Sequence, residues 1–113
     1  MVTPQAIENR LAVLSKEVDE AHKFLEEAEH AYHRAKSNYE INLASARLSK
    51  GEMGKLRVQD IQDLALLECR DEYLTLNSAE ATVKAARANA TRIRTQVDIA
   101  RSIGTSVRAS IEM

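Results

Sequence analysis

Turn-forming residues are scarce in this chain of 113 residues. It has 3 glycines and 1 proline, where a chain of this length and average composition has roughly 13 of the two together. Sandwiches, barrels and doubly wound sheets need a turn every few residues, and those turns depend on glycine and proline. The sequence therefore excludes these classes and favours long helices.

Cysteine, aromatic residues and long apolar runs are also scarce. The single Cys69 excludes a disulfide framework and a multi-cysteine zinc site, and it suits a reducing compartment. No apolar run approaches the length of a bilayer span, and the chain does not open with a signal-peptide pattern. We therefore expect a soluble, cytoplasmic protein that does not interact with membranes.

Apolar and small residues recur at alternating spacings of three and four through the first half of the chain. From Ile7 to Ala46, eleven of twelve such positions are apolar, and the exception is Asn42. A period of 3.5 residues held this long predicts a left-handed coiled coil rather than an isolated helix. We call this row of positions, and its counterpart in the second half, the seam.

The ends of the first helix have recognisable signals. Thr3 suits the N-cap position, and Pro4 suits the first helical position because it needs no hydrogen-bond acceptor there. Gly51 and Gly54 are expected to end the helix, since glycine tolerates the left-handed conformation common at helix C-termini. The first helix is predicted over about residues 4–49.

The second half repeats the seam without interruption from Leu76 to Ile111. We predict a turn over about residues 50–55 and a second helix over about 56–111. We favour one continuous helix here; the alternative is a kink or a break near residues 75–78, where the sequence resembles a helix start.

Two long amphipathic helices joined by a short turn predict an all-α antiparallel hairpin that forms one domain over residues 1–113. With a turn near residue 52, the last turns of the second helix extend past the first and leave Ile103, Val107 and Ile111 without a partner. We therefore expect these three residues to form a homo-oligomer contact. Further apolar residues lie off the seam and are expected to be exposed: Val13, Phe24, Ile41, Leu43, Leu48, Val58, Leu66, Leu67 and Leu74.

Positive charge is concentrated near the C-terminus, although the net charge of the chain is −1. Residues 77–113 contain 6 Lys/Arg and 3 Asp/Glu. Four arginines recur every seven residues along one side of this segment. Together with a nearby lysine they are the candidate nucleic-acid-binding residues, here called the arginine stripe: Lys84, Arg87, Arg94, Arg101 and Arg108.

Two interpretations of the arginine stripe remain open at this point. The predicted register places residue n opposite about 104 − n, so that Glu17 faces Arg87, while Arg101 and Arg108 find no acid on the first helix. The arginines then either pair with acids of a neighbouring subunit, as coiled-coil flanking residues do, or follow a phosphate backbone.

The sequence contains no convincing catalytic or metal-binding pattern. Glu27 and His30 match a Glu-x-x-His pair, but the second helix lacks the matching pair that a di-iron bundle requires. Cys69 has no histidine in its helical turn, so we interpret it as a buried structural thiol. We therefore predict a non-enzyme with no catalytic residues, no metal site and no cofactor.

Several features together suggest a known family. They are the long first helix, the hinge glycine, the acidic start of the second helix and the closing basic and apolar segment. With these features the chain resembles the UvsY family of phage recombination mediators. The residues that carry the resemblance are Tyr32, Tyr39, Gly51, Asp60, Asp63, Asp71, Glu72, Arg92, Ile93, Arg94, Ile103 and Ile111.

The resemblance implies a function that composition alone does not. Proteins of this family are small helical hairpins that assemble into ring-shaped homo-oligomers and bind single-stranded DNA. They help to load a RecA-like recombinase onto DNA covered by single-strand binding protein. For this chain the resemblance implies DNA contacts along the arginine stripe and residence in a host cytoplasm if a phage encodes it.

Other functions remain open on the sequence. The main alternative is a structural or adaptor protein whose helical faces bind another protein, with no role for nucleic acid. A hairpin chaperone and a secreted hairpin of the WXG type are further alternatives, although the turn here has no tryptophan.

Overall fold

The computed structural model describes residues 2–112 and contains three helices. Helix α1 spans Pro4–Glu52, α2 spans Val58–Glu68 and α3 spans Arg70–Glu112. Helix α1 packs against the other two in a helical hairpin, which confirms the predicted all-α fold class. None of the helices described combines the length and the apolar character needed to cross a membrane.

The start of α1 agrees with the sequence signal. The hydroxyl oxygen of Thr3 accepts a hydrogen bond from the Ala6 backbone N–H at 3.1 Å. The Thr3 carbonyl accepts another from the Ile7 N–H, also at 3.1 Å. Thr3 is therefore the N-cap, and Pro4 occupies the first helical position, where a missing N–H carries no cost.

The connection lies later in the chain than predicted. Helix α1 continues through Gly51 to Glu52, so Gly51 is helical and does not end the helix. Gly54 has a φ of 76°, in the left-handed region that glycine tolerates, and Lys55 follows with a φ of 33°. The turn therefore occupies residues 53–57.

The second half of the hairpin breaks at Cys69. It is therefore neither the single continuous helix that the sequence favours nor a helix broken near residues 75–78. Cys69 leaves helical geometry with φ −96° and ψ 21°. Its N–H still reaches the carbonyls of Ala65 and Leu66, and its carbonyl accepts from the Tyr73 N–H at 2.9 Å. The break is thus a local distortion that keeps backbone hydrogen bonds on both sides.

The chain forms two compact units. The turn unit comprises Glu27–Val83, and the terminal unit comprises the chain before and after it. The predicted seam is buried or half-buried in both units at nearly every position, with Asn42 and Ile111 the exposed members. The fully buried apolar seam residues are Ile7, Leu14, Ala21, Ala28, Ala35, Ala46, Val83, Ala86, Ala90, Ile93 and Ala100.

The terminal unit has a core of mixed residue sizes. Leu14 is the largest fully buried side chain among the described residues, with 1% of its surface exposed. A buried apolar cluster joins Ala21 of α1 to Ala90 and Ile93 of α3, and Val18 packs against this cluster. Alanines at this contact let the two helix backbones approach closely.

The register of the terminal unit differs from the prediction by about seven residues. A Cβ built on Gly104 would lie 3.2 Å from Cγ2 of Ile7, so these two residues face each other. The predicted register places Ile7 opposite residue 97 instead. The shift follows from the longer α1 and the later turn, since moving the centre of a hairpin moves every opposing pair by twice as much.

This register shortens the predicted overhang of the second helix. Gly104 is buried and Val107 is half-buried, so these turns of α3 are not without a partner. Ile103 and Ile111 are exposed, as expected. The argument that all three candidate oligomer residues extend past α1 is therefore wrong for Val107 and for Ile103. Ile103 precedes Gly104, which faces Ile7 of α1, and it is exposed because it lies off the seam.

The turn unit is packed mainly with small side chains. Ala46 of α1 meets Ala65 of α2 and Cys69, and Leu43 packs against this cluster. Leu43 is half-buried, which corrects its predicted exposure, whereas the other eight off-seam residues are exposed as predicted.

Polar and aromatic contacts also join the helices of this unit. Asn42 Nδ2 donates to a Glu72 carboxylate oxygen at 3.4 Å. Lys50 Nζ lies 3.5 Å from a Glu68 carboxylate oxygen. The Tyr39 and Tyr73 rings pack with centroids 5.6 Å apart.

Candidate nucleic-acid interface

The arginine stripe lies on the exposed surface of α3 in the terminal unit. All five of its side chains are exposed. A seven-residue step advances about 10.5 Å along a helix and drifts about 20° around it. The four arginines therefore extend over about 31 Å and stay beside the seam.

Arg94 and Arg101 line an open groove of about 330 Å³ between α1 and α3. Because small residues form the seam here, apolar side chains of both helices are accessible at the bottom of the groove. The other residues that line it are Leu11, Ser15, Val18, Asp19, Ala21, His22, Ala90, Val97 and Asp98.

Arg108 lies at the end of the stripe, beside the N-terminal turn of α1. It lines a smaller groove of about 120 Å³ with Pro4, Ile7, Glu8, Leu11 and Gly104. Helix α1 therefore accompanies the stripe as far as Arg108, which the predicted register placed beyond its end.

The side chains of the arginine stripe differ in whether they have interaction partners. Within residues 2–112, Arg94, Arg101 and Arg108 form no ion pair and no hydrogen bond, whereas Lys84 and Arg87 have interaction partners. Three guanidinium groups at regular spacing thus have no partner in the described part of the chain and can bind a ligand.

The predicted pairing of Glu17 with Arg87 rested on the register that the structure corrects. Glu17 instead lines a groove on the other side of the seam, together with Arg92. Arg10, predicted to face Arg94, donates to the Gln96 side-chain oxygen at 3.2 Å.

Carboxylates lie close to the stripe. Asp98 follows Arg94 by four residues and precedes Arg101 by three, so all three share one side of α3. Asp19 of α1 lines the same groove. The positive charge of one chain is therefore partly offset, and strong attraction of a polyanion requires several copies of the stripe.

Aromatic side chains do not accompany the stripe. The terminal unit has Phe24 as its single aromatic residue, whereas Tyr32, Tyr39 and Tyr73 belong to the turn unit. Tyr39 and Tyr73 contact each other, and the Tyr32 ring lies 5.4 Å from that of His33. Base stacking by tyrosine is therefore not part of this candidate interface.

Residues singled out for catalysis or metal binding show no such arrangement. Over residues 2–112, no group of three His, Cys, Asp or Glu side chains is placed to hold a metal ion. Glu27 and His30 are exposed on α1. Burial raises the pKa of the Cys69 thiol, and the nearby carboxylates of Glu72 and Glu68 raise it further. A protonated, buried thiol is a poor nucleophile at neutral pH.

The sequence identified the stripe but not its surroundings. The spacing of the arginines is visible in the second helix alone, whereas Ser15, Asp19 and His22 come from the first. Their placement depends on the register of the hairpin, which the turn glycines left uncertain.

Comparison with known proteins provides no further guide to function. No protein-family model, curated protein or solved structure matches the chain. Its geometry and the resemblance described above therefore carry the functional argument.

Proposed function

We propose that the protein is a non-enzymatic single-stranded DNA-binding protein that acts as a homo-oligomer and helps to load a RecA-like recombinase. The observation that carries the DNA-binding part is the row of exposed arginines that have no partner among residues 2–112: Arg94, Arg101 and Arg108. The recombinase part rests on the resemblance to phage recombination mediators.

The chemistry of the stripe suits a phosphate backbone. Guanidinium groups bind phosphate through paired hydrogen bonds and stay charged at any physiological pH. The stripe lies on a single helix face and has no motif for reading base edges. Binding is therefore expected to tolerate any sequence and to weaken steeply with salt.

Oligomerisation supplies what one chain lacks. Acids beside the stripe leave the terminal unit of one subunit with only a small positive excess. Joined subunits present several stripes to one strand. Binding of successive stripes is then intramolecular, which raises the overall affinity without any new contact. Ile103 and Ile111 remain exposed candidates for the subunit contact, alongside the half-buried Val107.

A second function, that of an adaptor for another protein, is favoured by a different observation. The turn unit exposes ten large apolar side chains, more than a soluble monomer of this size needs. Such a surface suits a helical partner. The residues are Ile41, Leu48, Met53, Leu56, Val58, Leu64, Leu66, Leu67, Tyr73 and Leu74.

Binding to a fluorescent oligonucleotide distinguishes the two functions. The charge-reversed variant R101E/R108E is compared with R47E/R70E, which makes the same change in net charge at exposed arginines of the turn unit. We expect R101E/R108E to lower the affinity for single-stranded DNA at least tenfold. Each lost phosphate contact also lowers the slope of log affinity against log salt by about 0.7.

The control pair is expected to change affinity less than threefold. Equal losses in the two pairs would show that net charge, and not the stripe, attracts DNA. A wild-type protein that ignores oligonucleotides at 50 mM salt, roughly the low end of the usual range, would contradict DNA binding and favour the adaptor.

The loading step has a separate readout. Filament assembly by a RecA-like recombinase is followed on single-stranded DNA covered by single-strand binding protein. The wild-type protein is expected to shorten the lag before filament assembly. R101E/R108E is expected to give the same lag as a reaction without the protein. If DNA binding is intact but the lag does not respond, the recombinase part of the proposal is wrong.

A further inference from the structure

The side of the terminal unit away from the arginine stripe has a second groove, of about 410 Å³. Arg92 lines this groove, and it projects about 200° around α3 from Arg94, which lines the first. Its lining combines charge of both signs with an aromatic ring. Its lining residues include Arg10, Glu17, Glu20, Phe24, Arg92 and Gln96.

Four exposed apolar side chains belong to this side of the unit. Phe24 lines the groove itself, and Val13 follows Arg10 by three residues on the same side of α1. On α3, Ile99 and Ile103 follow Arg92 and Gln96 by seven residues each. We call Val13, Phe24, Ile99 and Ile103 the apolar flank; between 43% and 54% of each side chain is exposed.

The charges around the apolar flank are not balanced by ion pairs with any described residue. Arg10 donates to the neutral amide of Gln96 at 3.2 Å, and Arg92 donates to that of Asn89 at 2.9 Å. In the part of the chain that the structure describes, Glu17 and Glu20 form no ion pair. Two cations and two anions thus surround an apolar centre.

A surface of this kind is complementary to a second copy of itself. A two-fold axis brings the same patch of two subunits together, so a patch with both signs of charge can meet its opposite across the axis. A patch of one sign would repel its copy. The charge pattern therefore favours self-association over binding to a strongly acidic or strongly basic partner.

The exposed surface of the chain is large enough to support such a contact. Its solvent-accessible area is 8504 Å², whereas a compact monomer of this mass exposes about 6200 Å². The difference exceeds the roughly 800 Å² per partner that a stable interface of standard size buries.

We propose that two copies of the chain associate through the apolar flank in a two-fold contact, with Phe24 and Ile99 near its centre. Arg10 and Arg92 of one copy face Glu17 of the partner subunit and Glu20 of the partner subunit. The arginine stripe stays on the outside of the pair. This contact does not depend on DNA binding, and it involves Ile103 of the earlier candidate oligomer residues.

The central test is the mass of the protein in solution. Sedimentation equilibrium without DNA, over roughly 1 to 100 µM, brackets the concentration at which a dimer with a micromolar Kd is half associated. The variant F24S/I99S is compared with L48S/L67S, which removes two exposed apolar side chains from the turn unit. All four residues are largely exposed, so circular dichroism should show unchanged helix content in both variants.

We expect wild type and L48S/L67S to associate equally, and F24S/I99S to weaken association at least tenfold. A wild-type chain that stays monomeric at 100 µM overturns the proposal. So does an association that L48S/L67S disrupts and F24S/I99S leaves intact.

A charge-exchange experiment tests the two-fold arrangement itself. In R10E/R92E the groove has only acids, and in E17R/E20R it has only bases, so each variant alone should repel its own copy. An equimolar mixture should recover association, because opposite charges then meet across the contact. If each variant associates as well as wild type, the proposed arrangement is wrong, whatever the outcome of the DNA-binding experiments.

Discussion

The terminal and turn units follow one heptad pattern but fill it differently. The terminal unit buries Leu14, Ile7 and Ile93 between its helices. The turn unit buries mainly alanines and Cys69, with Val83 its largest buried side chain. A regular seam therefore specifies that two helices pair, while the size of the seam residues decides how much apolar surface the pairing removes from water.

The unit that buries the smaller side chains exposes more large apolar side chains on its surface. Ten large apolar side chains are exposed in the turn unit and six in the terminal unit, although the two units are nearly equal in length. Helix α2 has Ala65 as its one buried residue. The terminal unit therefore buries the larger apolar side chains, and the turn unit exposes more of them.

The largest difference should appear when a core leucine of the terminal unit is truncated. We expect Leu14→Ala to lower the free energy of unfolding by about 2–5 kcal/mol, through lost burial and the cavity left behind. Urea unfolding followed by circular dichroism, at one protein concentration, measures this change. Leu48→Ala in the turn unit is the control, because Leu48 is 72% exposed; its effect should stay within about 0.5 kcal/mol. If both variants lose the same free energy of unfolding, the two units do not differ as described.

Substitutions at one glycine of each unit should change the stability by an intermediate amount. A side chain at position 104 meets Ile7 at once, whereas a Cβ at Gly51 has nothing within 4 Å. We expect Gly104→Leu to destabilise the protein by about 1–3 kcal/mol, because the contact is overpacked. Gly51→Ala, inside α1, should stabilise it by up to about 1 kcal/mol through better helix propensity. Thermal unfolding of both variants measures the signs, and a stabilising Gly104→Leu would contradict the observed register.

The smallest expected effect concerns the thiol of the turn unit. The folded-state pKa of Cys69 lies above its ordinary value of 9.0, so the folded protein holds this proton more tightly than the unfolded chain does. The resulting stabilisation is complete below about pH 9 and is lost as the pH rises towards the folded-state pKa. Wild type should therefore lose more stability than Cys69→Ala between pH 8 and roughly 10.5, a span around the ordinary thiol pKa.

Urea titrations at several pH values give the two stability curves. Other titrating groups are common to both proteins and cancel in the difference. Parallel curves for wild type and Cys69→Ala would show that the thiol has an ordinary pKa.

Most of the fold was predictable because its signals are local and repeated. The seam needs only the spacing of apolar residues, and the Thr3 cap needs only its neighbours. The break at Cys69 has no such signal, since neither glycine nor proline lies there. The predicted register depends on the centre of the turn, and the centre near residue 52 lies too early, so that every opposing pair is displaced by about seven residues.

In the candidate site, too, the features that lie within one helix are predictable from the sequence, and those that combine two helices are not. The spacing of the arginines is a property of one helix and was found in the sequence. The acids and His22 beside them, and the apolar flank on the other side, combine two helices and need the correct register. Burial of Gly104 was consistent with the seam, but its contact with Ile7 was not foreseen.

The hydrogen bond between Asn42 and Glu72 has a consequence for alignment. A seam built largely of alanines is nearly uniform, so sliding one helix along the other by a heptad would exchange one small residue for another at little cost in burial. Asn42 breaks that uniformity, because only one alignment places Glu72 within reach of its amide. A single polar residue in a coiled-coil seam can favour one alignment in this way. The exception in the heptad pattern thus adds to the alignment that the turn over residues 53–57 sets.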